Sequence, residues 1–440
     1  MDDNPWRRKS SSQTPIVTAS SECLMDKLPS CLIMDILSRL PIKTILNCRR
    51  VCKTWLHFIS DSFFTELHLE RSPTSLLIKT ISNNPESRNL QLVQITGKPT
   101  GLRFRVFEEM KFVPGTNLPC NDFLIEHSCN GLLCLSKTFQ FDFHEDIYVC
   151  NPILGEYISI PLAAGQETRH QSNFALGYSA ITREYKVLHT FCSKTGSDFQ
   201  PGAQIYTIAT GKWISIHKAL RNLDIFMFDS FVGGSIHWEL RDEGNCVNSI
   251  GSFNFENEQF SQFSLPPRYN EELVTLTVFE GCLGVSFFST CLQPQYEIWV
   301  MKEYGKKESW TKLITVENPG FGELCEPLIF LNSGLIMMMH YREYVVCYDT
   351  RTKFMEAIRI WQAQGNSYAM PYKPSFVSLK DVAKGEQLKM SRQLTKITLI
   401  TDILKMWPHT GRSKLEEKMT SPLLREHITA DPLSESIPAE

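Results

Sequence analysis

Two hydrophobic rhythms divide this chain. Between Leu28 and Leu69 the apolar positions recur every three or four residues, the spacing of one helix face. From about Leu76 to Leu379 they come in short alternating runs broken by polar turns, the spacing of strands. In the first region Leu32, Ile33, Ile36, Leu37 and Leu40 predict one helix. Ser30 predicts its start by accepting a bond from a first-turn amide, and Pro41 its end, because proline lacks a donor and disfavours a helical residue before it. A second helix is predicted from about Ile42 to Arg50, with Ile45 and Leu46 inward, and a third carries Val51, Trp55 and Ile59. Asp61 is the predicted N-cap of a last turn holding Phe63, Phe64 and Leu67. A unit of about 45 residues is near the lower size limit for a self-sufficient core, and this one holds more large apolar groups than it can hide. Two readings follow: the surplus docks a partner, or it caps the rest of the chain.

The second region repeats. Five hairpins recur: Ile147-Tyr148-Val149 into Glu156-Tyr157-Ile158, Gln204 to Ile208 into Lys212-Trp213-Ile214, Ser252 to Phe255 into Gln259-Phe260, Glu297 to Val300 into Ser309-Trp310, and Val345 to Tyr348 into Lys353-Phe354. The marker aromatics Tyr157, Trp213, Phe260, Trp310 and Phe354 are 56, 47, 50 and 44 residues apart. Such a period, built of hairpins, predicts propeller blades. A further strand pair precedes each hairpin, turning at Asn130-Gly131, Gly234, Gly281 and Gly334, or around Ala180 to Arg183 in the second unit. Each unit is therefore four antiparallel strands, with the marker aromatics packed between blades. Six blades is the favoured count, with five and seven left open; the sixth would pair Leu76–Val113 with a closing strand at Ser375–Leu379. In such blades the connections between strands 2 and 3 and those between blades emerge on one face. Several are long, among them Ser193 to Gly202, Ala163 to Asn173 and Trp361 to Pro374, whereas Glu303 to Glu308 is a long turn on the other face. Loops on a rigid scaffold tend to carry binding, which makes the long-loop face the expected target site.

Composition removes several classes. A net charge of −3 gives no global pull toward nucleic acid. The 14 cysteines are scattered, and neither Cys48/Cys52 nor Cys129/Cys134 has zinc-site spacing. Neither a secretory leader nor an apolar run of membrane-spanning length is present, so a reducing compartment, cytoplasmic or nuclear, is expected. No nucleophile elbow, P-loop, dinucleotide fingerprint or H-E-x-x-H motif occurs. His144-Glu145-Asp146 reads as a solvated turn and His237 as a satisfied strand residue. The chain is thus expected to be non-catalytic, with no metal and no cofactor.

The helical segment resembles an F-box of the kind that begins large plant protein families. The residues that carry the likeness are Leu28-Pro29, Ile36-Leu37-Ser38-Arg39-Leu40-Pro41, Lys43, Arg49, Val51-Cys52-Lys53-Thr54-Trp55, Ile59 and Phe63. The body resembles the F-box-associated, kelch-like propeller domain through Val149-Cys150-Asn151-Pro152, Leu176-Gly177-Tyr178, Tyr185-Lys186-Val187 and Gly233-Gly234-Ser235-Ile236-His237-Trp238. The likeness implies a small all-α F-box helical hairpin at 23–69 followed by an all-β propeller of about six four-stranded blades at 74–380. It also implies a substrate receptor of a Skp-cullin-F-box ubiquitin ligase. By the same analogy Leu28, Pro29, Ile36, Leu37, Leu40, Pro41, Cys52, Lys53 and Trp55 would contact a Skp-type adaptor or support that contact, and through the adaptor a cullin; Trp55 could equally be hairpin core. The target is not named by any residue. Residues 1–22 are polar and expected to be disordered, and 381–440 form a tail with one predicted helix from Leu388 to Met406.

Overall fold

A computed structural model of the chain describes residues 28–80, 90–97, 104–112, 118–119, 123–137, 146–161, 169–195, 198–216, 230–242, 246–267, 273–289, 295–317, 325–331, 334–340, 344–359, 367–383 and 388–390. These fall into two compact units, divided between Leu67 and His68. The first holds α1 (Ser30–Leu37), α2 (Ile42–Cys48), α3 (Lys53–Ile59) and the beginning of α4 (Ser62–Arg71).

Two local expectations for the helices change. Ser30 does not cap α1. Pro29 is the N-cap residue, and its carbonyl accepts from the Leu32 and Ile33 amides at 3.0 and 3.2 Å. Nor does Pro41 stop α1, which ends at Leu37 with turns closed by the Ser38, Arg39 and Leu40 amides; Pro41 instead opens α2, its carbonyl accepting from Ile45 at 3.0 Å. The missing N–H of proline costs nothing at a helix start. Asp61 does cap α4, accepting from Phe63 at 2.8 Å.

The second unit is a six-blade propeller, five sheets of four strands and one of five. The ring is closed by both ends of the unit. β1 (Ser75–Thr80), β2 (Leu90–Gly97) and β3 (Phe104–Phe112) supply the outer strands of the closing blade. Blade 1 is β4 (Leu124–Cys129), β5 (Leu132–Ser136), β6 (Ile147–Asn151) and β7 (Glu156–Ile160). Blade 2 is β8 (Arg169–Ser179), β9 (Glu184–Thr195), β10 (Asp198–Thr207) and β11 (Lys212–Ile216). Blade 3 is β12 (Ser230–Val232), β13 (Ser235–Arg241), β14 (Val247–Asn254) and β15 (Gln259–Ser264). Blade 4 is β16 (Leu273–Phe279), β17 (Cys282–Ser289), β18 (Gln295–Met301) and β19 (Trp310–Glu317). Blade 5 is β20 (Cys325–Leu331), β21 (Leu335–His340), β22 (Tyr344–Asp349) and β23 (Met355–Arg359).

The strand that completes blade 6 is β24 (Ser367–Tyr372), paired antiparallel with β1 from Ser75↔Tyr372 to Thr80↔Ser367. The expected closing strand at Ser375–Leu379 is instead extended chain leading into a short helix, α5 (Leu379–Val382). Part of the segment expected as a loop from Trp361 to Pro374 is thus the closing strand. Likewise the expected loop from Ser193 to Gly202 is mostly ladder, with β9 and β10 paired from Phe191↔Gly202 out to Thr195↔Asp198. Arg169 to Asn173 belongs to β8 rather than to a loop. The remaining long connections fall largely outside the described residues, as do His144 and Glu145.

Apolar clusters join consecutive blades. One unites Leu132, Val149 and Ile158 of blade 1 with Leu176, Val187 and Tyr206 of blade 2. Others join blades 2 and 3 through Leu188 and Trp238, blades 3 and 4 through Ile250 and Val285, blades 4 and 5 through Ile298 and Met338, and blades 5 and 6 through Met337 and Leu76. Two marker aromatics bridge blades by the same device: Trp213 Nε1 donates to the Pro161 carbonyl at 2.7 Å and Trp310 Nε1 to the Ser264 carbonyl at 3.0 Å, each reaching the end of the preceding blade. Phe260 packs on the cluster shared by blades 2 and 3. Phe354 departs from the expectation: it precedes β23 and is exposed. Close approach also needs Gly177, because a Cβ there would overlap the buried ring of Phe255 from blade 3.

The junction between blades 6 and 1 carries a polar latch. Buried Asn151, at the end of β6, donates from Nδ2 to the carbonyls of Ser375 at 3.1 Å and Val377 at 2.8 Å, while its Oδ1 accepts from the Ile153 and Leu154 amides. Glu156 accepts from the Leu379 amide at 2.8 Å and from Ser378 Oγ. Tyr372 and Ser375 donate to the carbonyls of Gly131 and Asn130, both at 2.7 Å. Beyond the latch, β25 (Leu388–Met390) adds a fifth strand to β7. This replaces the start of the helix expected from Leu388; the rest of that helix lies outside the described residues.

Candidate functional site

The candidate docking surface is on the helical unit, and its character follows from which side chains the core consumes. Ile33 and Leu37 of α1 are buried, as are Ile42, Ile45 and Cys48 of α2, Ile59 of α3 and Phe64 of α4. α3 packs against both α1 and α2. The surplus anticipated from composition is real. Leu32, Ile36, Val51, Leu56 and Phe63 stay exposed, Val51 by 65%. Val51 is therefore not core of the third helix, which starts at Lys53, but part of the exposed surface.

The α1 stripe splits in two. Ile33 and Leu37 form an inward pair four residues apart, whereas Leu32 and Ile36, rotated by one residue, form an outward pair. Ile36 is 43% exposed and Leu37 1%, so these neighbours do not share a face, as the spacing had suggested. Of the residues assigned by resemblance, Pro29, Ile36, Pro41, Cys52 and Lys53 are exposed, Leu28, Leu40 and Trp55 are half-buried, and Leu37 is core. Cys52 has a local task as well: it is the N-cap of α3, its Sγ accepting from the Trp55 amide at 3.4 Å. An exposed i,i+4 pair joins Asp35 of α1 to Arg39 in the turn that follows it, with Nε–Oδ2 at 3.1 Å and Nη2–Oδ1 at 3.2 Å. Among the described residues of this unit, none of the hydrogen bonds joins a nucleophile to a base. What the unit offers is five exposed large apolar side chains within 32 residues, the chemistry of protein docking.

In the propeller, buried His237 and His127 are both anchored to strand carbonyls through Nδ1. His237 meets the Ser230 carbonyl at 3.0 Å through Nδ1 and the Tyr304 hydroxyl at 2.8 Å through Nε2, as expected of a satisfied strand residue. His127 Nδ1 lies 2.8 Å from the Leu176 carbonyl. Burial pushes both down to about 4; His68 also falls to about 4, through burial and then the charge of Lys373. The depressed pKa values mean that the unfolded chain binds more protons between pH 6.5 and 4. Their stabilisation is therefore complete above about pH 6.5 and lost toward pH 4, by up to about 3 kcal/mol per group. Glu126 and Glu239, raised by burial, act in the opposite sense at the acid end. The informative quantity is thus a difference: the stability advantage of wild type over His237→Gln should shrink from pH 7 to pH 5 in chemical melts. A constant difference would show that His237 does not titrate in this way.

Among the described residues no cluster of three or more His, Cys, Asp or Glu could hold a metal, and no helix is long and apolar enough to cross a membrane.

Comparison with known proteins agrees with this division. Residues 25–67 match the F-box domain family, and residues 111–379 match the F-box associated beta propeller domain family. An F-box protein of Arabidopsis thaliana is 25% identical over 372 residues, covering 74% of this chain and 86% of the relative. F-box protein CPR1 of the same plant is 25% identical over 377 residues, covering 76% and 85%. Among solved structures, one from a study of two prolyl endopeptidases aligns at 9% identity with a TM-score of 0.35, over 74% of this chain and 56% of the other, a likeness too slight to carry any argument. The helical unit with its outward apolar patch, the six-blade ring and the two family matches together make this chain a member of the plant F-box proteins that carry an F-box-associated β-propeller.

Proposed function

We propose that the chain is a substrate-recognition subunit of a Skp-cullin-F-box ubiquitin ligase, acting in the cytoplasm or nucleus. The observation that carries the reading is the set of exposed large apolar side chains of the helical unit, Leu32, Ile36, Val51, Leu56 and Phe63, which its own core does not consume. Five large apolar groups in so short a segment are costly in water, and a partner surface removes the cost. A Skp-type adaptor is that partner, and a cullin joins through it. The propeller, a rigid ring whose apolar clusters run from blade to blade, presents a protein target. Catalysis is then by proximity. The complex raises the effective concentration of target lysines near the charged ubiquitin carrier, and the bond-making groups belong to other subunits.

The test is target turnover. Proteins captured by the full chain should have longer half-lives when the chain is removed, and restoring wild type should shorten them again. A version with Ile36→Asp and Leu56→Asp should capture the same proteins without restoring their turnover. Unchanged half-lives for every captured protein would reduce the chain to an adaptor-bound scaffold.

A further inference from the structure

We propose that the centre of the propeller is a binding site for a neutral, largely apolar small molecule bearing a hydroxyl or N–H donor, with His127 as the acceptor. The proposal is independent of the adaptor reading, since no residue of the helical unit takes part. The space is a cavity of about 460 Å³, walled mainly by the first strands β4, β12, β16, β20 and β24. That volume lies within the range of roughly 300–1,000 Å³ usual for small-ligand pockets. Phe231, Leu276, Ile329 and Met370 give it apolar walls.

His127 is the feature that points to a ligand. It lines the cavity and is only 5% exposed. A carbonyl oxygen can only accept, so the contact with Leu176 places the ring proton on Nδ1. The opposite nitrogen, Nε2, is then a bare acceptor, and among the described residues it has no hydrogen-bond partner. His237 is the internal contrast. Equally buried, it has both nitrogens engaged, Nε2 by the Tyr304 hydroxyl at 2.8 Å. Tyr304 shows what the His127 Nε2 lacks: an aromatic hydroxyl. Because His127 lines the cavity, a hydroxyl or N–H donor entering it can supply the missing hydrogen bond.

The charges on the wall select neutrality. The wall carries groups of both signs, among them Glu126, whose carboxyl accepts from Ser136 Oγ, and Lys373, which donates to the Glu70 carbonyl, so it does not draw an ion of one sign. Burial keeps His127 uncharged at physiological pH, so its acceptor persists.

The experiment titrates the full chain with 2-naphthol and with 2-methoxynaphthalene, the same body without the donor, by calorimetry and ligand-observed NMR. Wild type should bind 2-naphthol saturably and the ether about tenfold or more weakly. His127→Phe, which keeps the ring and removes the acceptor, should abolish the difference. Met370→Trp, filling the cavity from the β24 wall, should weaken binding of both probes. Equal affinities for the two probes on wild type, or no saturable binding of either, would leave a cavity that holds only water and overturn the proposal. Discrimination that survives in folded His127→Phe would place the site elsewhere and overturn it equally. If His127→Phe does not fold, the two-probe comparison on wild type and Met370→Trp still decide.

Discussion

Asn151→Ala should lower the stability of the propeller by about 2–5 kcal/mol, while Asn254→Ala should cost about 1 kcal/mol or less. The two residues hold the same place in their blades. Each ends the third strand, and each Oδ1 accepts from amides of the following turn: Ile153 and Leu154 for Asn151, Glu256 and Asn257 for Asn254. They differ in what Nδ2 does. Asn254 donates to Ser235 Oγ in its own blade, at 3.0 Å. Asn151 donates to two carbonyls 224 and 226 residues away, on the segment that leaves the closing strand. Truncating Asn151 leaves those carbonyls without its donors at a junction where water has little access, and each unmet group carries a desolvation cost of about 1–3 kcal/mol. Asn151→Asp should be at least as damaging, since a carboxylate keeps the turn acceptor but presents charge to two carbonyl oxygens. Thermal melts of the three variants check this. Asn151→Ala no worse than Asn254→Ala would mean that the latch contributes nothing beyond the local turn.

Ile36→Asp should abolish adaptor capture with almost no change in melting temperature; Leu37→Asp should abolish both. These neighbours are 43% and 1% exposed. A charge at Ile36 meets water in the free chain and is buried only against a partner, so its cost appears on binding, by about 2 kcal/mol or more if it is an interface anchor. A charge at Leu37 is buried in the free chain, where it removes an apolar contact worth about 2–5 kcal/mol and adds an unpaired carboxylate. A domain of this size has little stability to spare. Leu37 therefore supports docking only by supporting the helix, and loss of capture in its variant is no evidence of contact. Co-purification with a Skp-type adaptor, beside circular dichroism of each variant, separates the two. Full capture by a folded Ile36→Asp chain would remove this face from the docking surface.

Much was legible because it is local. Strand alternation, hairpin turns at Asn130-Gly131 and Gly233-Gly234, and the spacing of the marker aromatics are set within a few residues, and all appear in the ring. The α1 stripe was half legible. Spacing of three and four marks Leu32, Ile33, Ile36 and Leu37 as apolar, but it does not say which edge of a wide stripe faces the core. The core-facing pair was decided by α3 packing on α1. His127 is not legible as a site residue in the sequence, because its neighbours there form no motif. Its significance comes from the cavity shared by strands of five blades.

The sequence by itself determined the two modules, the blade repeat and the absence of a familiar catalytic motif, because hydrophobic period and turn chemistry act over short stretches of chain. Tertiary structure alone decided three things: that the ring closes with Ser367–Tyr372 rather than the segment after it, that Asn151 and Glu156 lock that closure, and that Nε2 of His127 meets no partner among the described residues. The first two depend on groups brought together across more than 200 residues, and the third on a contact across 49. The strand following the last blade is chosen by the open edge of β1, which carries hydrogen-bonding groups that a strand in register can satisfy.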